Sequence, residues 1–238
     1  MSPYKISFQL CSARNLPPQE AVPEGLKEVG YDAVEPWLPD FGDDPAGFRR
    51  RIDDADSWRR VGEQLARGTE AARAAGLRVA WHNHEFEYKP LADGSRPIDL
   101  VLDAAGDDLG FEIDFAWVMR AWADRVAELR SYAPRILAIQ VKDPAPPGTL
   151  DEGGWTPMGD GIVDWDVLWP LFPSTPADHL VVEHDNARNW RAVAQRSNDY
   201  LIAKGTRSQA ASPAADPGAS GSVLARAQEG ETRCQLLG

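Results

Sequence analysis

Val79-Ala80-Trp81-His82-Asn83-His84-Glu85-Phe86-Glu87-Tyr88 opens as a buried strand and closes as a cluster of ligand-type side chains. Short apolar residues follow a helix that stops at Gly76. The six residues from His82 to Glu87 then hold two of the chain's four histidines beside two carboxylates. A strand whose last residues become ligands is the one-dimensional form of an α/β-barrel active site. Alone, the same pattern also fits a solvated strand-to-loop edge, and the flanking segments decide between the two.

Downstream the alternation is regular. Pro97 to about Ala105 reads as a helix, Leu109 to Asp114 as a strand ending in a carboxylate, and Ala121 to Tyr132 as a helix. Ile136 to Val141 is a strand leading into Lys142-Asp143. A Pro- and Gly-rich loop follows, then a short helix near Asp164 to Leu171, a strand Leu180 to Glu183, and a helix Asn189 to Ala203. Upstream, Ile6 to Cys11 and Tyr31 to Pro36 read as strands around a helix between Pro17 and Gly30. Such a β-α-β rhythm implies parallel strands joined by crossover helices.

The rhythm breaks once. Asp44 to Ala55 and Ser57 to Ala75 both read as helix, with no strand between them where a βα repeat requires one. The expected fold is therefore α/β: a TIM-barrel-like parallel βα repeat over residues 1–204, incomplete, with about six strands and the interruption near 55–57. Residues 205–238 turn to Ala, Ser, Gly, Pro and scattered charge, which predicts a disordered low-complexity tail with at most a helical turn at Val223 to Ala227.

The chain has 238 residues, with 43% hydrophobic and 26% charged, ordinary values for a globular protein with a sizeable core. Lys plus Arg number 25 and Asp plus Glu 37, a net charge of −12. That acidity argues against nucleic acid as a partner, since phosphate backbones need clustered cations. Cys11 and Cys234 form no CxxC pair, so neither a disulfide framework nor a cysteine zinc site is expected. No apolar run approaches the roughly 20 residues of a membrane span. A cytoplasmic location is the expectation.

Glu35, the His82 to Glu87 cluster, Asp114, Gln140-Val141-Lys142-Asp143 and Glu183 all stand at strand ends. In a parallel barrel these ends open on one face, so residues far apart in sequence converge. Converging carboxylates and imidazoles repel or desolvate one another unless a divalent cation sits among them. Oxygen-rich ligation with little nitrogen suits manganese, magnesium or cobalt better than structural zinc.

The blocks SFQLCSARN, VGYDAVEP, AAGLRVAWHNHEFEY, DGSRPIDLVLD, GFEIDFAWV, QVKD, MGDGIVDWDVLW and VVEHDN lie in one order between residues 7 and 186. In these the chain resembles the sugar phosphate isomerase/epimerase family, with its xylose-isomerase-like barrel. The resemblance implies eight strands, a divalent metal at the carboxyl ends of the later strands, and isomerisation, epimerisation or dehydration of sugars, keto-sugars or cyclitols. Two departures stand out. A strand-helix-strand block of about 50 residues is missing before Ser57, so a normal barrel cannot close at the usual tilt and shear. The outcomes left are an open barrel, one completed by a partner, or a damaged gene product. The second departure is Gln140, which stands where the family has a metal-binding histidine.

By strand register Asp114 and Glu183 are the first expected metal ligands, and Gln140 can add a neutral carbonyl oxygen. The remaining contribution is left between His82 and Glu87. His84 is either a ligand or a proton carrier, and Glu183 is a second candidate for proton transfer. Lys142 is expected to hold a substrate oxygen or phosphate; the plainer alternative is an ion pair with Asp143. His184 and Asp185 are expected to line the pocket, and Trp117, Trp155 and Trp165 to wall it. His179 belongs on the opposite face. The expected activity is metal-dependent proton transfer next to a carbonyl of a small sugar or cyclitol, with a homo-oligomer left open. The alternatives are a sugar-binding remnant without turnover, a dehydratase, or an abasic-site endonuclease on the same barrel.

Overall fold

Runs such as Val79 to Trp81 and Leu180 to Val182 are apolar at consecutive positions and are buried throughout. A strand with one wet face alternates, whereas one covered on both faces reads as a continuous apolar run, the hallmark of parallel sheets flanked by helices. The computed structural model describes residues 4–9, 12, 22–35, 54–74, 76–205 and 225–227. In chain order its strands are β1 (Lys5–Gln9), β2 (Ala33–Glu35), β3 (Val79–His82), β4 (Gly110–Asp114), β5 (Ile136–Gln140), the two-residue β6 (Asp143–Pro144) and β7 (Trp155–Thr156), β8 (His179–Val182) and β9 (Ala225–Ala227). The α-helices are α1 (Val22–Val29), α2 (Ala55–Ala74), α3 (Pro97–Ala105), α4 (Phe115–Arg120), α5 (Arg125–Tyr132), α6 (Trp165–Leu168) and α7 (Trp190–Ala203). The alternation of parallel strands with helices is the expected βα repeat, and six strands longer than two residues precede residue 205 among the described residues.

The chain divides into two compact units, residues 1–37, 138–170 and 177–222 in the first and 38–137, 171–176 and 223–238 in the second. In the first, β1 pairs in parallel with β2 on one side and β8 on the other, and β8 pairs in parallel with β5. Phe8 on β1 meets Tyr31 edge-on at 5.4 Å and Trp190 at 6.4 Å, while the Tyr31 hydroxyl donates to the Ala194 carbonyl. These contacts fix α7 against the sheet. Asn189 caps α7 by accepting from the Ala192 amide at 3.1 Å.

In the second unit β3 pairs in parallel with β4. The long helix α2 begins at an Asp54 cap, whose Oδ1 accepts from the Ser57 amide at 2.7 Å, and packs along α3. Gly62 makes this close approach possible, because a Cβ there would lie 2.5 Å from the Val101 carbonyl oxygen. Pro97 starts α3 where its missing amide costs nothing. The guanidinium of Arg96 binds Asp99 through two bonds and Glu128 through a third, at 2.6–2.9 Å, while the Tyr132 hydroxyl donates to Asp99.

The structure corrects the sequence reading at four places. The helix expected over Ala121 to Tyr132 is α5 alone, starting only at Arg125 under the Asp124 cap, while a separate helix, α4, capped by Asp114, precedes it and Trp122 breaks the path between them with φ of 61°. The helix near Asp164 to Leu171 is α6 only to Leu168, after which the chain tightens into a 3₁₀ turn. His179 begins β8 instead of preceding it. In the tail, residues 225–227 form β9, paired in parallel with β3 from Val79↔Ala225 to Trp81↔Ala227, where at most a helical turn was expected. The edge of β3 supplies that pairing, and no local composition reveals it. The helix read at Asp44 to Ala55 before Asp54, the start of the helix read from Pro17, both cysteines and the remainder of the tail lie outside the described residues. No helix among the described residues is long and apolar enough to cross a membrane.

Candidate functional site

Parallel pairing puts the carboxyl ends of neighbouring strands side by side, and each unit carries polar side chains at those ends. In the second unit these are His82 at the end of β3, Asn83 and His84 after it, and Glu112 and Asp114 on β4, none more than 7% exposed. His82 is in register with Glu112, and their Nδ1 and Oε1 atoms lie 3.6 Å apart. Glu112 and Asp114 are two residues apart on a strand and therefore share a face. Asn83 ties the two strand ends together: its amide oxygen accepts from the Asp114 N–H at 2.9 Å and its amide nitrogen donates to the Asp114 carbonyl at 3.2 Å.

Asp114 has a second task. Its Oδ1 accepts from the Ala116 and Trp117 amides at 2.7 and 3.1 Å, capping α4. Helix and carboxylate are thus built by one residue. The turn Phe86–Tyr88 folds Glu87 back so that its Oε2 accepts from the His84 amide at 2.8 Å. The His84 ring stands edge-on to His82 at 4.8 Å, stacks on Phe86 at 5.8 Å, and leans on Trp117 at 5.2 Å. Trp117 also lies under the Arg120 guanidinium at 5.2 Å.

The first unit brings together Gln140, Lys142, Glu183 and Asp185. The Gln140 amide nitrogen donates to Glu183 Oε2. Lys142, 1% exposed, places Nζ 2.5 Å from Asp185 Oδ2, 3.6 Å from Glu183 Oε2 and 4.2 Å from the centre of the Trp155 ring. The alternative of a Lys142–Asp143 ion pair does not hold. Asp143 instead accepts from the Gly159 and Val163 amides and the Trp165 indole at 2.8–3.0 Å, folding the loop between residues 159 and 165 around itself. Burial pushes the Asp143 carboxyl up, and those three donors pull it back only in part. Trp165 is thereby a buried pin for the loop, not a wall of a sugar pocket, whereas Trp155 does lie flat against Lys142.

The backbone N–H of His184 donates to the Ser12 hydroxyl at 2.9 Å, and its Nδ1 accepts from the Asn186 amide at 3.3 Å. An accepting Nδ1 puts the ring proton on Nε2. Burial pushes this imidazole below its ordinary range, against the opposing pull of Glu152. His179 sits at the amino end of β8 on the Asp178 carboxylate at 2.7 Å, the end expected for it. Glu35 ends β2, and its side chain lies outside the described residues.

Sequence reasoning missed Glu112, Asn83 and Ser12. Glu112 had a legible signal: it stands two residues before Asp114, so any argument placing Asp114 at the site places Glu112 on the same face. Asn83 and Ser12 act through backbone hydrogen bonds, which local sequence does not announce.

The donor chemistry fits a divalent cation. Glu87, Glu112 and Asp114 in one unit, and Glu183 and Asp185 in the other, are carboxylates at most 5% exposed. Buried carboxylates are stable only where charge compensates them. Carboxylate oxygens with one or two imidazole nitrogens are a donor set for manganese, magnesium, cobalt or an open zinc site.

A family model described as xylose isomerase-like TIM barrel matches residues 41–204. Among solved structures, a sugar phosphate isomerase/epimerase from Parabacteroides distasonis is 17% identical, with a TM-score of 0.65 over 85% of this chain and 95% of its own. An L-ribulose 3-epimerase is 16% identical, with a TM-score of 0.59 over 85% of this chain and 94% of its own. A xylose isomerase-like TIM barrel protein from Mycobacterium smegmatis, solved with magnesium, is 14% identical, with a TM-score of 0.50 over 85% of this chain and 72% of its own. At such identities the likeness is one of fold. No curated protein matches the chain.

Proposed function

Since the chain belongs to the xylose isomerase-like TIM barrel family, we propose that it is a divalent-metal-dependent isomerase or epimerase of a sugar, sugar phosphate, keto-sugar or cyclitol. The observation that supports this most is the burial of carboxylates and imidazoles at the carboxyl ends of parallel strands, the end at which barrel enzymes carry their chemistry. In this reading residues 1–204 work as one cytoplasmic catalytic domain, and a homo-oligomer is left open.

His82, Asp114 and Glu183 are the proposed cation ligands, each offering one ligand atom. Glu87 and Gln140 are the further ligands, Gln140 through its carbonyl oxygen because its amide nitrogen serves Glu183. When bound, the cation supplies Lewis-acid polarisation of a substrate carbonyl, which makes the neighbouring C–H more acidic. Glu183 and His84 are the proposed proton carriers on the two sides of the substrate. Lys142, held by Asp185 and Trp155, presents its charge to a substrate oxygen or phosphate. Return of the proton to the adjacent carbon is isomerisation; return to the opposite face is epimerisation.

The direct test is a melt of the purified chain with and without manganese, followed by sugar turnover by Asp114→Asn and Glu183→Gln. Absence of any manganese-dependent stabilisation would sink the metal-enzyme reading. One observation favours a second reading, a sugar-binding remnant: Gln140 replaces the imidazole expected at that strand end. Metal and sugar binding without turnover would select it.

A further inference from the structure

We propose that a second site, at the amino ends of β3 and β4 in the second unit, binds a small phosphate-type oxyanion. A cavity of about 220 Å³ opens there beside Val79, where β3 begins, and Gly110, where β4 begins. It lies at the strand ends opposite to those of His82 and Asp114, so it is separate from the candidate active site. A space this small is below the size of a drug-like ligand pocket and suits an ion or a short ester.

Three arginines line it: Arg73, Arg78 and Arg135. Asp107 and Asp108 line it too, leaving a local balance of +1 on a chain of net charge −12. Arg135 is fixed in place, its Nη1 donating to the Leu102 carbonyl at 3.0 Å and its Nη2 to the Gly106 carbonyl. Those partners are neutral carbonyls at the end of α3, and they orient the guanidinium without cancelling its charge. Arg73 pairs with Asp108 at 2.6 Å, but both side chains are more than half exposed and such a pair contributes little. A planar guanidinium fork matches phosphate geometry, and the aspartates can accept from a P–OH group while limiting the charge admitted.

The independent sign of a missing ligand is Thr69. It lines the cavity from α2, is 3% exposed, and its hydroxyl has no hydrogen-bond partner among the described residues. A buried hydroxyl left unsatisfied is costly, and threonine on a helix divides between two χ1 rotamers. The oxygen is closed to solvent in its present rotamer, so an oxyanion in the cavity becomes its acceptor through the other one.

The test is isothermal titration of the full chain with inorganic phosphate at fixed ionic strength, in wild type, Arg135→Gln, Thr69→Val and Glu183→Gln. Wild type and Glu183→Gln are expected to bind one equivalent alike. Arg135→Gln weakens binding at least tenfold. Thr69→Val, which removes only the hydroxyl, weakens it about threefold while the ligand-free melting temperature holds or rises. Should Arg135→Gln fail to fold, Thr69→Val decides alone. No binding to wild type, unchanged affinity in Thr69→Val, or loss of binding in Glu183→Gln overturns the site. Manganese affinity of Thr69→Val, expected to equal that of wild type, keeps this outcome distinct from the fate of the metal-enzyme reading.

Discussion

The ammonium of Lys142 lies 2.5 Å from Oδ2 of Asp185, and neither side chain is more than 6% exposed. Glu183 adds its own carboxylate to the same cation at 3.6 Å. A buried pair broken on one side leaves an uncompensated charge, at about 3–5 kcal/mol, whereas apolar replacement of both partners is often near neutral. Asp185→Ala is therefore expected to lower urea stability by about 3 kcal/mol, with most of that recovered in the Lys142→Met, Asp185→Leu double variant. Simple additivity of the two single changes would contradict the pair's role.

Asp114 caps α4 with Oδ1, so its two substitutions should separate helix from metal. Asn also caps; Ala does not. Asp114→Asn is expected to keep its melting temperature without metal and to lose the manganese-dependent rise. Asp114→Ala should lose that rise and about 1 kcal/mol of metal-free stability besides. Equal metal-free stability of the two variants would show that the cap is not what Asp114 contributes.

Gln140 gives its amide protons to Glu183, orienting that carboxylate with a neutral donor. Gln140→His puts a more basic nitrogen ligand at this strand end, and manganese affinity by calorimetry is expected to rise about tenfold, the scale on which changes around metal ligands act. Gln140→Ala removes the donor and should weaken binding. A histidine variant that binds manganese no better than the parent would remove Gln140 from the metal's surroundings.

Away from the site, Asp99 provides a pH signature. Burial raises its carboxyl, but the bonds from Arg96 and Tyr132 and the Arg96 charge outweigh burial and hold it below the ordinary aspartate range. A depressed folded-state carboxyl contributes stability that is present above the unfolded value and is lost as pH falls through the folded one. Thermal melts between pH 5 and pH 2 are expected to show a steeper acid loss in the parent than in Asp99→Asn. Parallel curves would mean that the Arg96 network does not lower this carboxyl.

The strand-end positions of His82, Asp114 and Glu183 were legible in the sequence because ligand-type residues at the ends of apolar runs need only the period of a strand to be found, while the choice between His82 and Glu87 as a ligand was left open. The partner of Lys142 was not. Adjacent residues of an extended chain point to opposite sides, so Asp143 was the neighbour in sequence and Asp185, on the segment after β8, the neighbour in space. Phe115 to Arg120 escaped because its helix starts from Asp114, a residue already taken as a ligand. Glu112 stands inside the strand read from Leu109 to Asp114, where only the terminal carboxylate drew notice, although its register with His82 follows once β3 and β4 are known to be parallel. Of the two helical patterns read in succession around Ser57, the second is α2, one helix from Ala55 to Ala74, while residues 36–53, which hold most of the first, lie outside the described residues.

The parallel pairing of β9 with β3 has a consequence for the order of events in synthesis. Val79 and Ala225 are about 150 residues apart, so β3 leaves the ribosome long before the strand that pairs with it exists. Contacts of such long range form late and slowly, since their loop must close first. Until then Val79 to Trp81 present unsatisfied backbone groups to any neighbouring chain, the condition under which nascent sheets pair wrongly. The yield of native protein from this chain is accordingly a race between its own late strand and its neighbours.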